Sequence, residues 1–180
     1  MAEVLLLLLV VYVVPITVGS WWLGILVLLI TLPGLYATVT GVHYQPTLPR
    51  TQDRMMGLAA ITAGQKVYDL GCGDGRLVFA AAKRGARAVG YELSIPVFFI
   101  AWLRSLRVLG ASIRFGNFWK KDYSDADVIF CFLLDPAMVR VRDVIWPQLK
   151  PGCKLVSHYF ALPSHEPDAK DGNVVMYVKK

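Results

Sequence analysis

The chain has 180 residues, room for one compact domain and an appendage, and carries a formal net charge of +6 with 56% hydrophobic residues. Cys72, Cys131 and Cys153 are odd in number and form no C-x-x-C pair. This excludes a disulfide framework and the usual zinc spacings, and predicts reduced thiols. His43, His158 and His165 share no metal-ligand spacing, so no metal is expected.

The appendage comes first. No charged side chain occurs from Val4 to Val42, and Pro15, Gly19 and Ser20 interrupt the run before Trp21 and Trp22. A bilayer core needs about 20 apolar residues, and this stretch is longer. Glu3 in place of a basic n-region, and the length of the run, argue against a cleaved signal peptide. One membrane helix, kinked near Pro15 or starting after it, is the favoured expectation for residues 1–41. Two short spans turning near Gly19–Trp22 are the alternative, since tryptophan prefers the interface. All 19 Lys and Arg lie at or after Arg50 while one acid, Glu3, precedes them, so residues 50–180 carry +7. By the positive-inside rule the globular part faces the cytoplasm at the cell (inner) membrane. The bilayer is thus an expected partner. Nucleic acid ranks below it, because the basic residues are scattered.

Residues 42–65 form a linker and a helix. Pro46 and Pro49 stiffen the tether, and residues 52–61 have a helical pattern with Met55, Met56, Ala59 and Ala60. The domain proper is expected at 66–180. A strand over 66–70 ends in Asp69 and Leu70. A glycine loop follows, with Gly71, Gly73 and Gly75 spaced by two, and then a helix stopping at Gly85. A second strand over 88–92 ends in Glu92. A very apolar helix begins near Ser94 with Pro96 in its first turn and ends at Gly110. One face of it should pack on the sheet; a core-only role is favoured over contact with lipid or with the N-terminal helix. Strands over 112–115 and 127–134, a helix over 136–149 frayed by Pro147, and strands over 154–159 and 174–178 complete the pattern. Alternating strands and helices predict an α/β fold with a mostly parallel sheet.

The order Asp69-x-Gly71-x-Gly73-x-Gly75 resembles the cofactor loop of class I S-adenosylmethionine (AdoMet) methyltransferases, whose fold is Rossmann-like. A strand, tight turn and helix N-terminus receive ligands in such sheets. AdoMet has no pyrophosphate. Its carboxylate would meet the helix dipole, and Asp69 would hold its ammonium. Glu92 stands 17 residues after Gly75, near the roughly 20-residue spacing at which a second-strand acid meets ribose hydroxyls. A flexible turn and a solvated strand-end acid are the plainer alternatives, and the two signals together outweigh them.

Four segments taken together resemble a narrower family, the membrane-anchored lysine methyltransferases. They are His43–Thr47, Val67–Val78, Gly90–Leu93 and Asn117–Ser124, with Phe118-Trp119-Lys120 in the last. The mitochondrial members of that family modify the ATP synthase c subunit and the adenine nucleotide translocase. The resemblance implies an N-terminal anchor, a seven-strand-type domain, AdoMet as cofactor, and a membrane or membrane-proximal protein as methyl acceptor. It implies Asp69, Gly71, Cys72, Gly73, Gly75, Glu92, Leu93, Asn117 and Phe118 as cofactor-binding residues. Asn117 stands where the family usually has an acid near the adenine. The segments after the fourth and fifth strands, Leu133–Pro136 and Ser157–Pro163, also depart from the family's pattern. Asp135 is the candidate for orienting the acceptor amine, with a helix N-terminus followed by proline as the structural alternative. Tyr159 and Phe160 are candidates for walling the lysine channel. A lipid-headgroup amine as acceptor, and a non-catalytic AdoMet-binding role, are the competing functions. The oligomeric state is left open.

Overall fold

The computed structural model describes residues 19–39 and 48–180. The kink at Pro15, the tether around Pro46 and the 43–47 segment lie outside them. Helix α1 (Trp21–Val39) is 19 residues long and carries no charge. At 1.5 Å per residue it measures about 28 Å, just short of the roughly 30 Å hydrocarbon core. Among the described residues no helix is long and apolar enough to cross a membrane.

Helix α2 (Pro49–Ala59) starts at a proline, whose missing N–H costs nothing in a first turn, and ends at Ala60 in the left-handed region. It buries Met55, Met56 and Ala59 against the sheet, so the pre-domain helix is part of the domain's packing.

Seven strands form one sheet in the order β3-β2-β1-β4-β5-β7-β6. They are β1 (Lys66–Leu70), β2 (Arg87–Glu92), β3 (Ala111–Phe115), β4 (Val128–Cys131), β5 (Lys154–His158), β6 (Ala169–Asp171) and β7 (Val174–Val178). The first five run parallel, and β7 is antiparallel to both β5 and β6. The mostly parallel, Rossmann-like sheet agrees with the sequence expectation. Alternation along each strand splits the core into two layers. Val67, Val128, Phe130 and Val156 face α2 and α3 (Arg76–Ala82). Tyr68, Ile129, Cys131 and Leu155 face Trp119, Tyr123, Met138 and Trp146 on the other side. Burial on both faces explains why these strands read as continuous apolar runs.

Four boundaries differ from the sequence expectation. Strand β4 stops at Cys131, three residues before Leu134, where the chain leaves the sheet to reach Pro136. The helix expected over 136–149 is α5 (Asp135–Arg140), continued by a wide π turn at Val141–Ile145 and a tight 3-10 turn at Trp146–Gln148. Pro147 has no N–H for the α-helical ladder, so the regular helix cannot reach Leu149. Strand β6 was not foreseen, since two of its three residues are charged. Helix α4 (Ile95–Ser105) is about three turns long and ends five residues before Gly110, and it is not core-only: Ala101 and Ser105 are its buried residues, and α1 packs alongside it.

Candidate functional site

The carboxyl ends of β1, β2, β4 and β5 form one edge of the sheet. Chain order reverses there between β1 and β4, the crevice where open α/β sheets bind ligands. The loop 71–75 leaves β1 at this edge. Gly71, Gly73 and Gly75 have φ of 76°, 54° and 83°, a left-handed region that glycine enters without cost. A side chain at Gly75 would also bring its Cβ to 2.6 Å from the Phe79 ring.

Two hydrogen bonds tie the loop to the end of β2, and two more hold the Glu92 carboxylate. The Cys72 N–H donates to the Tyr91 carbonyl at 2.9 Å. Glu92, almost fully buried, accepts from Gly73 N–H through Oε2 at 3.0 Å, and from Leu93 and Ser94 N–H through Oε1 at 2.9 and 2.7 Å. A carboxylate offers about four lone-pair positions, so three backbone donors leave room for a hydroxyl. Glu92 thus holds the loop's shape and keeps acceptor capacity for a ribose.

Asp69 is buried at the end of β1, opposite Gly90 in register. Burial, then the charges of Glu92 and Asp74, push its carboxyl up to about 8. Among the described residues no hydrogen bond or ion pair engages it. A buried acid without a cation is chemically incomplete, and an ammonium group would complete it. Asp74, next in the loop, is satisfied. It pairs with Arg76 at 2.8 Å and with Arg104 of α4 at 3.2 Å, and the Arg76 guanidinium holds its carboxyl below the usual range.

Sequence reasoning passed over Gly90. A Cβ there would lie 2.6 Å from both Cβ and Sγ of Cys72 and 2.8 Å from Val78 Cγ2. The empty space lets the loop and α3 close on β2, and a glycine inside a strand is the signal that could have shown it. Cys72 sits in this packing with its thiol pushed well up by burial, so it is protonated and structural.

Asn117 opens the Phe118–Lys120 3-10 turn, its Oδ1 accepting from Trp119 N–H at 3.0 Å. A carbonyl oxygen has a second lone pair, which a ligand amino group can use. Phe118 and Trp119 are buried with ring centroids 4.5 Å apart, Arg140 lies 4.5 Å over the Trp119 ring, and Tyr123 donates to the Phe118 carbonyl at 2.7 Å. The Phe-Trp-Lys element is therefore a buried brace under the Asn117 turn.

The ends of the adjacent strands β4 and β5 carry the other candidates. Asp135 is exposed in the first turn of α5, its charge complementing the helix dipole, with no side-chain capping bond at that terminus. Tyr159 is exposed in a left-handed conformation, φ 73°, and contacts Phe160 with centroids 5.2 Å apart. Non-glycine residues held in that region are strained and concentrate at functional sites. The sequence reading gave His158 no role. Its ring lies tilted against Phe132 with centroids 4.3 Å apart, its Nδ1 is buried without a partner, and burial lowers its affinity for a proton.

The Asp69–Gly75 loop, Glu92 and the Asn117 turn thus fit AdoMet: a lone buried acid for its ammonium, a helix N-terminus for its carboxylate, an acid for its ribose. Known proteins point to the same cofactor. Residues 69–169 match the ANTKMT methyltransferase domain. A protein-lysine N-methyltransferase of Saccharolobus islandicus is 37% identical over 145 residues, 76% of this chain and 90% of that protein. The mouse adenine nucleotide translocase lysine N-methyltransferase is 35% identical over 59% of this chain, which spans about half (48%) of that protein's length. A crystal structure of an RNA methyltransferase from Salinibacter ruber with S-adenosyl-L-homocysteine superposes with a TM-score of 0.70 at 33% identity, covering 75% of this chain and 94% of that one. The chain belongs to the ANTKMT methyltransferase domain family and is an AdoMet-dependent methyltransferase.

Proposed function

We propose that the protein methylates a lysine side chain of a membrane or membrane-proximal protein. The observation that carries this reading is the 37% identity to a protein-lysine N-methyltransferase over nine-tenths of that protein's length. Bound AdoMet supplies an electrophilic methyl group on a sulfonium. The chain's own part is to bind, orient and desolvate. Asp69 would take the ammonium, the N–H groups of the loop the carboxylate, and Glu92 the ribose. Asn117 and Phe118 would border the adenine. A fixed collinear approach of the amine removes much of the entropic barrier. The acceptor must also arrive neutral, and a lysine has a reference pKa of about 10.4 that desolvation lowers. Asp135, in the first turn of α5 beyond β4, would orient the amine. Tyr159 and Phe160, at the end of the neighbouring β5, would wall the approach.

The apolar, charge-free stretch that contains α1 supports a membrane anchor, and the +7 charge of residues 50–180 supports a cytoplasmic domain. A lipid-headgroup amine is the second reading, favoured by the large apolar residues that α4 leaves exposed. The test is to incubate the full chain, in detergent or vesicles, with isolated membranes and methyl-labelled AdoMet. Label is expected in a protein band, released as methyllysine on hydrolysis. Label confined to the lipid extract or to RNA would overturn the protein-lysine assignment.

A further inference from the structure

Helix α4 is inside out for a helix on a soluble sheet. The residues it buries are small, Ala101 at 0% and Ser105 at 8% exposure. Of the large ones Phe98 packs half-buried against the core, while Phe99, Ile100, Trp102, Leu103 and Leu106 point away and are 37–66% exposed. At about 100° per residue, Trp102, Leu106, Phe99 and Leu103 form one continuous outward arc, and Arg107 and Arg104 follow along a single flank. Leu109, just past the helix, is almost wholly exposed. A contiguous apolar surface of this kind marks a binding face. Two observations say what covers it. The uncharged α1, with Trp22, Leu26 and Leu29 exposed, packs beside α4, so the two apolar surfaces are neighbours. And the flank of the arc is basic, in a domain that is basic overall.

We propose that the outward face of α4 lies on an anionic lipid bilayer. Trp102, Leu103 and Leu106 would enter the boundary between headgroups and acyl chains, with Arg107 at the phosphates. An apolar face with a basic flank is the pattern of a helix lying in the interface plane. Because α4 begins three residues after Glu92 and is tied through Arg104 to Asp74 of the glycine loop, seating it fixes the AdoMet crevice at one height and orientation over the membrane. The inference rests on the membrane placement proposed above and is independent of the acceptor.

The experiment uses the full chain in vesicles of phosphatidylcholine with about one quarter phosphatidylglycerol, enough to give an anionic surface. The three native cysteines are buried. Leu103→Cys, Leu29→Cys and Glu166→Cys each receive an environment-sensitive fluorophore. The last lies before β6, at the far edge of the sheet from α4. Emission from position 103 should shift to the blue and be quenched mostly by shallow nitroxide lipids, while position 166 stays unquenched. Arg107→Glu, or omission of the anionic lipid, should reduce quenching at 103 without reducing it at 29. If 29 is quenched and 103 behaves like 166, the docking face is wrong and the anchor stands. If neither is quenched, both fail. A blue shift at 103 without quenching by lipid means that protein covers the face, and this also overturns the proposal. Leu106→Cys repeats the measurement should the Leu103 variant not fold.

Discussion

Asp69→Asn should strengthen the ligand-free protein and cripple cofactor binding. In the ligand-free chain the carboxyl is pushed from 3.8 to about 8, mainly by burial. A group whose folded pKa is raised contributes stability below its unfolded pKa and loses it as pH rises through the folded value. The protein therefore weakens between about pH 4 and pH 8 on account of Asp69. At about 1.4 kcal/mol per unit, the cost at pH 7 has a ceiling of about 4 kcal/mol; water entering the crevice lowers it. The Asn variant is free of this cost, so its melting temperature should exceed that of the parent near pH 8 and match it only near pH 4. Binding runs the other way. The ammonium of S-adenosylhomocysteine must displace a proton from Asp69 below pH 8. Affinity, measured by calorimetry, should rise close to tenfold per unit from about pH 6 to about pH 7.5. Loss of a charge-assisted hydrogen bond worth about 1.5–3 kcal/mol should weaken binding to the variant roughly ten- to 150-fold and flatten its pH dependence. A parent affinity that does not change with pH over that interval, or an Asn variant that binds as tightly as the parent, would refute the assignment of Asp69 as the ammonium's partner.

Three further outcomes can be checked with the same protein. Glu92→Ala strips three backbone donors of their acceptor; a loss of about 2 kcal/mol in denaturant unfolding and at least a tenfold weaker cofactor affinity are expected. Gly90→Ala places a methyl 2.6 Å from Cys72; overpacking should cost about 1–3 kcal/mol and displace the glycine loop, so affinity falls together with stability. His158→Phe removes a buried nitrogen that has no partner. The lowered proton affinity of His158 makes its contribution present above its ordinary pKa and lost as pH falls through the folded value, so the variant should gain most below about pH 6.5, by roughly 1 kcal/mol. Turnover that drops despite this gain would mark His158 as part of the acceptor site; unchanged turnover would make it a packing residue.

The strand, glycine loop and helix proposed to hold the cofactor were legible in the sequence because they are local. Asp69 to Gly75 are contiguous, and their strand, turn and helix follow from which residues tolerate positive φ and which alternate into a core. Glu92 sits one strand away at a spacing set by a single helix. Even here the sequence missed Gly90 and Ser94, whose roles exist only once β2 lies against the loop. The sequence offers Asn117 as a candidate toward the cofactor but not as the cap of its own turn.

The proposed acceptor end is assembled from the segments that follow β4 and β5, and the sequence places neither strand end. The apolar run Val128–Leu134 does not reveal that pairing ends at Cys131, because Phe132 and Leu133 are as strand-like as the residues before them. That error moves Asp135 from a strand end to the first turn of a helix, where helix capping alone explains an acid. Nor could hydrophobic periodicity tell which side of α4 meets the sheet: a helix apolar on nearly all sides has no preferred face in sequence, and the small residues Ala101 and Ser105 won the buried side because they let it approach β2 and β3 closely. The two hardest elements to read are thus the two that would set the acceptor, one by the group that orients its amine and the other by the surface on which it is presented. No hydrogen bond of the Glu92 network reaches the ends of β4 or β5, so substitutions at those two ends would alter acceptor choice without unmaking the glycine loop.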